Sequence, residues 1–156
     1  MVPTLPTPAN TNQPDADEAS HPATTLQRAE AAVADLAKDY ASWALRDLAK
    51  ARTALASAVA DEEKRGPQVE AVFRVAHDLK GQGGSFGFPL VTKIGHSLCA
   101  LTRDRLREYQ ARHLELAKAH LDALELVLTK GIKGEGGKVG AELVAKLESR
   151  VAEVIG

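Results

Sequence analysis

Among its 156 residues the sequence has one cysteine, one tryptophan and one methionine, and aromatics make up only 4% of it. A single cysteine, Cys99, allows no intrachain disulfide and no cysteine-rich zinc site, and it fits a reducing compartment. An excess of one charge sign is also missing. The net charge is −1, which argues against nucleic-acid binding, where a basic stripe is expected. No uncharged apolar run approaches the roughly 18 residues of a membrane span. The first residues show neither the basic nor the apolar region of a signal peptide. The expectation is a soluble cytoplasmic chain with no membrane or nucleic-acid partner. Strand patterns are absent as well, because no segment alternates β-branched and aromatic residues. What is present is 44% hydrophobic and 26% charged residues, ordinary for one globular domain, with alanine abundant. That composition points to helices packed on helices.

Residues 1–24 hold five of the seven prolines and almost no apolar side chains. They cannot bury enough surface to offset ordering entropy, so they are read as a disordered tail. Residues 25–156 are read as one helical domain. Leu26, Ala29, Val33, Leu36, Ala37 and Tyr40 recur at three and four and predict a first helix. Ser42 suits an N-cap and predicts a restart, with Trp43, Leu45, Leu48, Ala51, Leu55 and Val59 marking a second helix to Asp61. The turn Lys64–Pro67 leads to a third helix from Pro67, the favoured first position for proline, to about Ser85. Gly87 suits a left-handed helix end, and Pro89 opens a fourth helix with Leu90, Ile94, Leu98 and Leu101 on one face, ending near Arg107. Leu114, Ala117, Leu121, Leu124 and Leu128 line a fifth. Lys130–Gly140 reads as a flexible loop, and Leu143, Leu147, Val151 and Val154 mark a last helix. The loop is no P-loop: no strand precedes it, and Gly137-Lys138 is followed by Val139. The fold expected is all-α, an antiparallel four-helix bundle with an extra N-terminal helix and the disordered tail.

One stretch of the third helix carries the chemistry. At about 100° per residue, Val69, Val72, Phe73 and Ala76 gather on the core side and His77 falls at the edge of that face. Lys80 at i+3 and Arg74 at i−3 are its neighbours, while Asp78 points elsewhere. Gly81 at i+4 and Gly84 at i+7 share the face of His77, although an interior glycine costs about 1 kcal/mol against alanine. They leave a bare ledge beside an exposed imidazole, open to close approach by a partner. Gly83 lies on the packing side. A neutral imidazole nitrogen is a competent nucleophile near neutral pH. A phosphoryl group on it would carry about −1.5 to −2 charges, which Lys80 would compensate as a point-charge donor. The same residues would also occur on a plain surface helix.

The stretch His77-Asp78-Leu79-Lys80-Gly81, followed by Gly83, Gly84 and Gly87, resembles the signature of the histidine-containing phosphotransfer (HPt) family. Pro89–Arg103, with the small residues Gly95 and Cys99 in an apolar stripe, resembles that family's next helix. The resemblance is close over about Phe73–Leu101. It implies that His77 is the phosphoacceptor, that Lys80 stabilises the phosphoryl group, and that Gly81 and Gly84, with Arg74 nearby, admit a docking partner. It implies as partners a response-regulator receiver domain and a hybrid histidine kinase, with phosphate passing between His77 and receiver aspartates. The chain would then be a stoichiometric carrier rather than an enzyme, with no cofactor or metal of its own, since magnesium would come with the receiver. Two departures stand out. Gly83 occupies a place where the family often has alanine or serine, and Thr102-Arg103 one where an acidic residue is common.

The competing expectation is a helical interaction module that binds a receiver or kinase without being phosphorylated. His113 and His120, seven apart, are too far apart for a chelating pair and are read as surface histidines. His96 is a candidate for the docking face. Cys99 is read as a small core residue, and Trp43 and Tyr40 as packing between helices. Asp61–Arg65 reads as a solvated helix end, and Phe86 and Phe88 as candidates for an exposed apolar patch. A monomer is expected.

Overall fold

A computed structural model describes residues 22–156. Every regular element among them is helical: α1 (Pro22–Ala60), α2 (Arg65–Gly83), α3 (Pro89–Thr102), α4 (Ala111–Lys130) and α5 (Gly137–Ile155). The expected all-α class therefore holds for the described residues. The chain divides into two compact units, the first ending at Leu36 and the second spanning Ala37–Gly156. Most of the predicted tail, residues 1–21, lies outside the described residues. Its last three positions, Pro22–Thr24, are helical.

The restart predicted at Ser42 does not occur, because α1 runs unbroken through it for 39 residues. Serine caps a helix only where something else ends the preceding one. Between Ala23 and Ala60 there is neither glycine nor proline to do so, and alanine, the best helix former, recurs throughout. From Ala37 onward, Ala37, Tyr40, Ala44, Leu48, Ala51, Leu55 and Ala58 form one buried row, the three-and-four spacing of a core-facing stripe. Trp43 corrects an expectation: it falls beside this row and is 52% exposed. Tyr40 does pack. Its ring stacks on Phe86, with centroids 4.8 Å apart and planes 5° apart, and tilts against Phe88 at 5.9 Å.

The turn into α2 is a short 3₁₀ segment, Glu62–Lys64, capped by the Asp61 carboxylate accepting from the Glu63 N–H at 3.0 Å. Glu62, Glu63 and Lys64 are exposed as expected. Arg65 is not simply solvated. Its guanidinium donates to the Ala58 carbonyl at 2.8 Å and the Tyr109 carbonyl at 3.1 Å, satisfying an end of α1 that has no further helical donors. Helix α2 starts at Arg65, so Pro67 sits inside the first turn, where its missing N–H removes no helical bond.

Helix α3 buries Leu90, Ile94, Leu98 and Leu101, the predicted face, but stops at Thr102 rather than near Arg107. Local polar bonds replace the ladder there. The Thr102 hydroxyl donates to the Leu98 carbonyl at 2.8 Å, the Asp104 carboxylate accepts from the Leu106 N–H at 2.9 Å, and the Tyr109 hydroxyl donates to the Asp104 carbonyl at 2.9 Å. The glycine-rich connection is also shorter than expected, since α5 begins at Gly137. Val144, Leu147 and Val151 of α5 are buried, and Leu143 and Val154 are half-buried. No helix among the described residues is long and apolar enough to cross a membrane.

Candidate functional site

Helix α2 buries Val69, Val72, Ala76, Leu79 and Gly83, with Phe73 half-buried. His77 follows Ala76 by one residue, about 100° round the helix, and its side chain is 66% exposed. Its Nδ1 lies 3.8 Å from the Asp78 carboxylate, beyond hydrogen-bonding range. Its ring lies 6.0 Å from that of Phe73 with a 41° tilt. Among the described residues, neither ring nitrogen is engaged. Lys80, one turn along, is half-buried. Arg74, one turn back, is held by Glu70 at 2.9 Å, and Glu70 also pairs with Arg105 at 3.2 Å.

The glycines separate by surroundings. A Cβ on Gly81 would meet nothing within 4 Å, and one on Gly84 would meet only the Thr92 hydroxyl at 3.6 Å. Both positions are exposed and form the bare ledge that the helical spacing predicts. A Cβ on Gly83 would come within 2.9 Å of the Phe88 carbonyl oxygen and 3.0 Å of the Val91 side chain, so this glycine serves packing. Gly87 takes the left-handed conformation, φ 88°. Its N–H bonds the Gly84 carbonyl at 3.2 Å, and the Phe88 N–H bonds the Gly83 carbonyl at 2.8 Å. This paired closure fixes the helix end, and Pro89 starts the next helix directly.

Two residues of α3 hold the ledge from behind. Gly95 allows close approach at the His77 turn: a Cβ there would lie 3.2 Å from both the Ala76 carbonyl oxygen and the Lys80 Cα. Thr92 bridges the two helices, its hydroxyl donating to the Lys80 carbonyl at 3.1 Å and accepting from the Gly84 N–H at 2.9 Å. Sequence reading missed Thr92, because a bond between elements leaves no local pattern.

Several other expectations change. Phe88 is buried and Phe86 half-buried. Both rings pack against Tyr40, so Phe88 offers no exposed patch and Phe86 only part of one. His96 is exposed on α3, and Cys99 is buried as expected. Burial is the main cause pushing the Cys99 thiol up, opposed by Lys80 and Arg103. His113 and His120 are buried, not surface residues. The His120 Nδ1–H donates to the Leu116 carbonyl at 2.7 Å and its Nε2 accepts from the Ser97 hydroxyl at 2.9 Å. A carbonyl only accepts, so this pairing fixes the neutral tautomer. His113 is fixed the other way, with Nδ1 accepting from the Gln110 N–H at 2.9 Å and Nε2–H donating to the Val154 carbonyl at 3.2 Å. Burial holds both imidazoles below the ordinary histidine range. The site thus combines one exposed imidazole, a lysine on the next turn and a strip of uncovered backbone.

The model of one family, described as the Hpt domain, matches residues 35–127. That stretch covers well over half the chain, from within α1 to near the end of α4, and it contains the whole ledge. The chain belongs to the Hpt domain family, whose members are phosphocarrier modules working with receiver domains and kinases in phosphorelays. Neither the curated proteins nor the solved structures gave a match.

Proposed function

We propose that the chain carries a phosphoryl group on His77 between receiver-domain aspartates, or from a histidine kinase to a response regulator. The observation that carries this reading is the exposed His77 ring, with neither nitrogen engaged among the described residues, beside a ledge cleared by Gly81 and Gly84. In the transfer, an imidazole nitrogen attacks the phosphorus of an aspartyl phosphate. An N–P bond forms, the P–O bond breaks, and the partner's carboxylate leaves with the electron pair. The ring proton on the other nitrogen passes to solvent. Nε2 is the favoured acceptor, because Nδ1 is the nitrogen turned toward Asp78. Lys80 offsets the added negative charge. The magnesium and the aspartate belong to the partner, and the chain itself turns over only through partners. A cytoplasmic monomer suits such a shuttle.

Phosphoramidate, a small donor that phosphorylates histidine directly, tests the acceptor without any partner. Acid-labile phosphate should map to His77 and vanish in H77Q. Equal labelling of H77Q sinks the assignment. If His77 labels but a panel of receivers never exchanges phosphate with it, the chain is a binding module rather than a carrier.

A further inference from the structure

Resting on the phosphocarrier reading, we propose that the α4–α5 loop is a second, cationic part of the docking surface. It would attract the carboxylate cluster of a receiver's aspartate pocket as that pocket approaches His77. The sequence presents this loop only as a flexible connection, and the family match ends at residue 127, before it. The structure attaches it to the turn that closes the helix of His77. The Gly134 N–H donates to the Gly87 carbonyl at 3.2 Å, and the Lys133 side chain lies 4.0 Å from where a Cβ would stand on Gly87. Gly136, at φ 70°, sits so close to α3 that a Cβ there would be 2.7 Å from the Leu90 side chain. The loop is therefore fixed against both α2's end and α3.

Its charge is one-sided. Residues 130–138 contain Lys130, Lys133 and Lys138, all exposed, and one carboxylate, Glu135. Lys93 of α3 already neutralises Glu135 at 3.0 Å. Lys133 thus stands at the edge of the ledge, Lys130 and Lys138 flank the loop on the adjoining helix ends, and the loop's one carboxylate is already paired. Helix α2 ends at Gly83, six residues past His77 and about 9 Å along the axis, and Gly87 closes the turn that follows directly. A standard interface covers about 800 Å² per partner, a round patch of about 16 Å radius. An interface centred on His77 places this loop on its rim. A partner that passes phosphate through an aspartate and binds magnesium carries clustered carboxylates opposite His77, and at about 0.01 M salt their field reaches about 30 Å, past the rim. Opposite charges on a rim act mainly by speeding encounter.

The test uses the full chain loaded with phosphoramidate and the receiver to which the wild type transfers fastest. The variants are K133E and the triple K130Q/K133Q/K138Q, which alter exposed side chains only. Loading of His77 should be unchanged. Transfer to the receiver should slow about tenfold or more at low salt, with the gap closing as salt rises toward about 1 M, where screening acts within about 3 Å. A transfer rate within about twofold of wild type at low salt overturns the proposal, as does a slowdown that salt leaves unchanged. Failure of wild-type His77 to take phosphate at all is a separate result and refutes the phosphocarrier reading itself.

Discussion

His77 and His120 are the same residue in opposite circumstances. His120 is 0% exposed and spends both ring nitrogens inside the protein, on Ser97 and on the Leu116 carbonyl. His77 is exposed, and neither of its nitrogens is engaged among the described residues. A buried polar ring is retained when its bonds are complete, and a complete set of bonds leaves no lone pair for chemistry. The difference shows why a histidine's role follows from its partners rather than its presence. The two positions should therefore fail in opposite ways. H77Q loses all phosphate uptake and keeps its thermal midpoint. H120Q still takes phosphate at His77 but loses about 1–3 kcal/mol of stability, because Ser97 or the Leu116 carbonyl is left unpaired. Phosphate labelling and thermal melts on the two variants check this. Loss of labelling in a folded H120Q would break the contrast.

Acid sharpens the same contrast. Folding holds His120, and in the same direction His113, below the ordinary histidine range. The unfolded chain takes up protons on these rings from about pH 6.5 downward, and the folded chain does so only at lower pH. The unfolded state then binds more protons, so stability is constant above that pH and falls below it. The slope is at most about 1.4 kcal/mol per pH unit for each ring. Urea midpoints measured between about pH 7.5 and pH 5 should fall with pH, and less steeply in H120Q. An equal slope in H120Q would mean that this ring does not carry the acid sensitivity.

The glycines repeat the lesson on a smaller scale. G83A places a methyl within 2.9 Å of the Phe88 carbonyl oxygen, a backbone atom that cannot turn aside. It should lower stability by about 1–3 kcal/mol, read from the urea midpoint. An unchanged midpoint would show that α2 and α3 can separate at this point without loss.

What the sequence made legible follows from this physics. The exposure of His77, the division of the glycines and the stop at Gly87 all rest on helical periodicity and backbone sterics, which are local. So are the apolar rows of α3, α4 and α5. The errors arose where one element decides another. Ser42 carries an N-cap signal, but no break precedes it. Arg65 looks solvated until Tyr109 arrives from 44 residues away. His113 and His120 look like surface residues because their partners Val154 and Ser97 lie on other helices. Thr92 is one hydroxyl among apolar neighbours until Lys80 and Gly84 are placed across from it.

The smallest expected effect separates stability from function. Gly81 lies within α2, and a methyl added there meets nothing within 4 Å. G81A should therefore stabilise the fold, by about 0.5–1 kcal/mol from reduced backbone entropy of the unfolded chain. If the ledge exists for docking, the same methyl stands where a partner approaches. G81A should then melt higher, load from phosphoramidate like wild type, and pass phosphate to a receiver more slowly. Unchanged transfer would mean that no partner reaches Gly81, and the bare surface beside His77 would need another explanation. Slower transfer in a more stable protein has no structural explanation in loss of fold, so that pairing of results would tie the forgone helix propensity to access to one histidine.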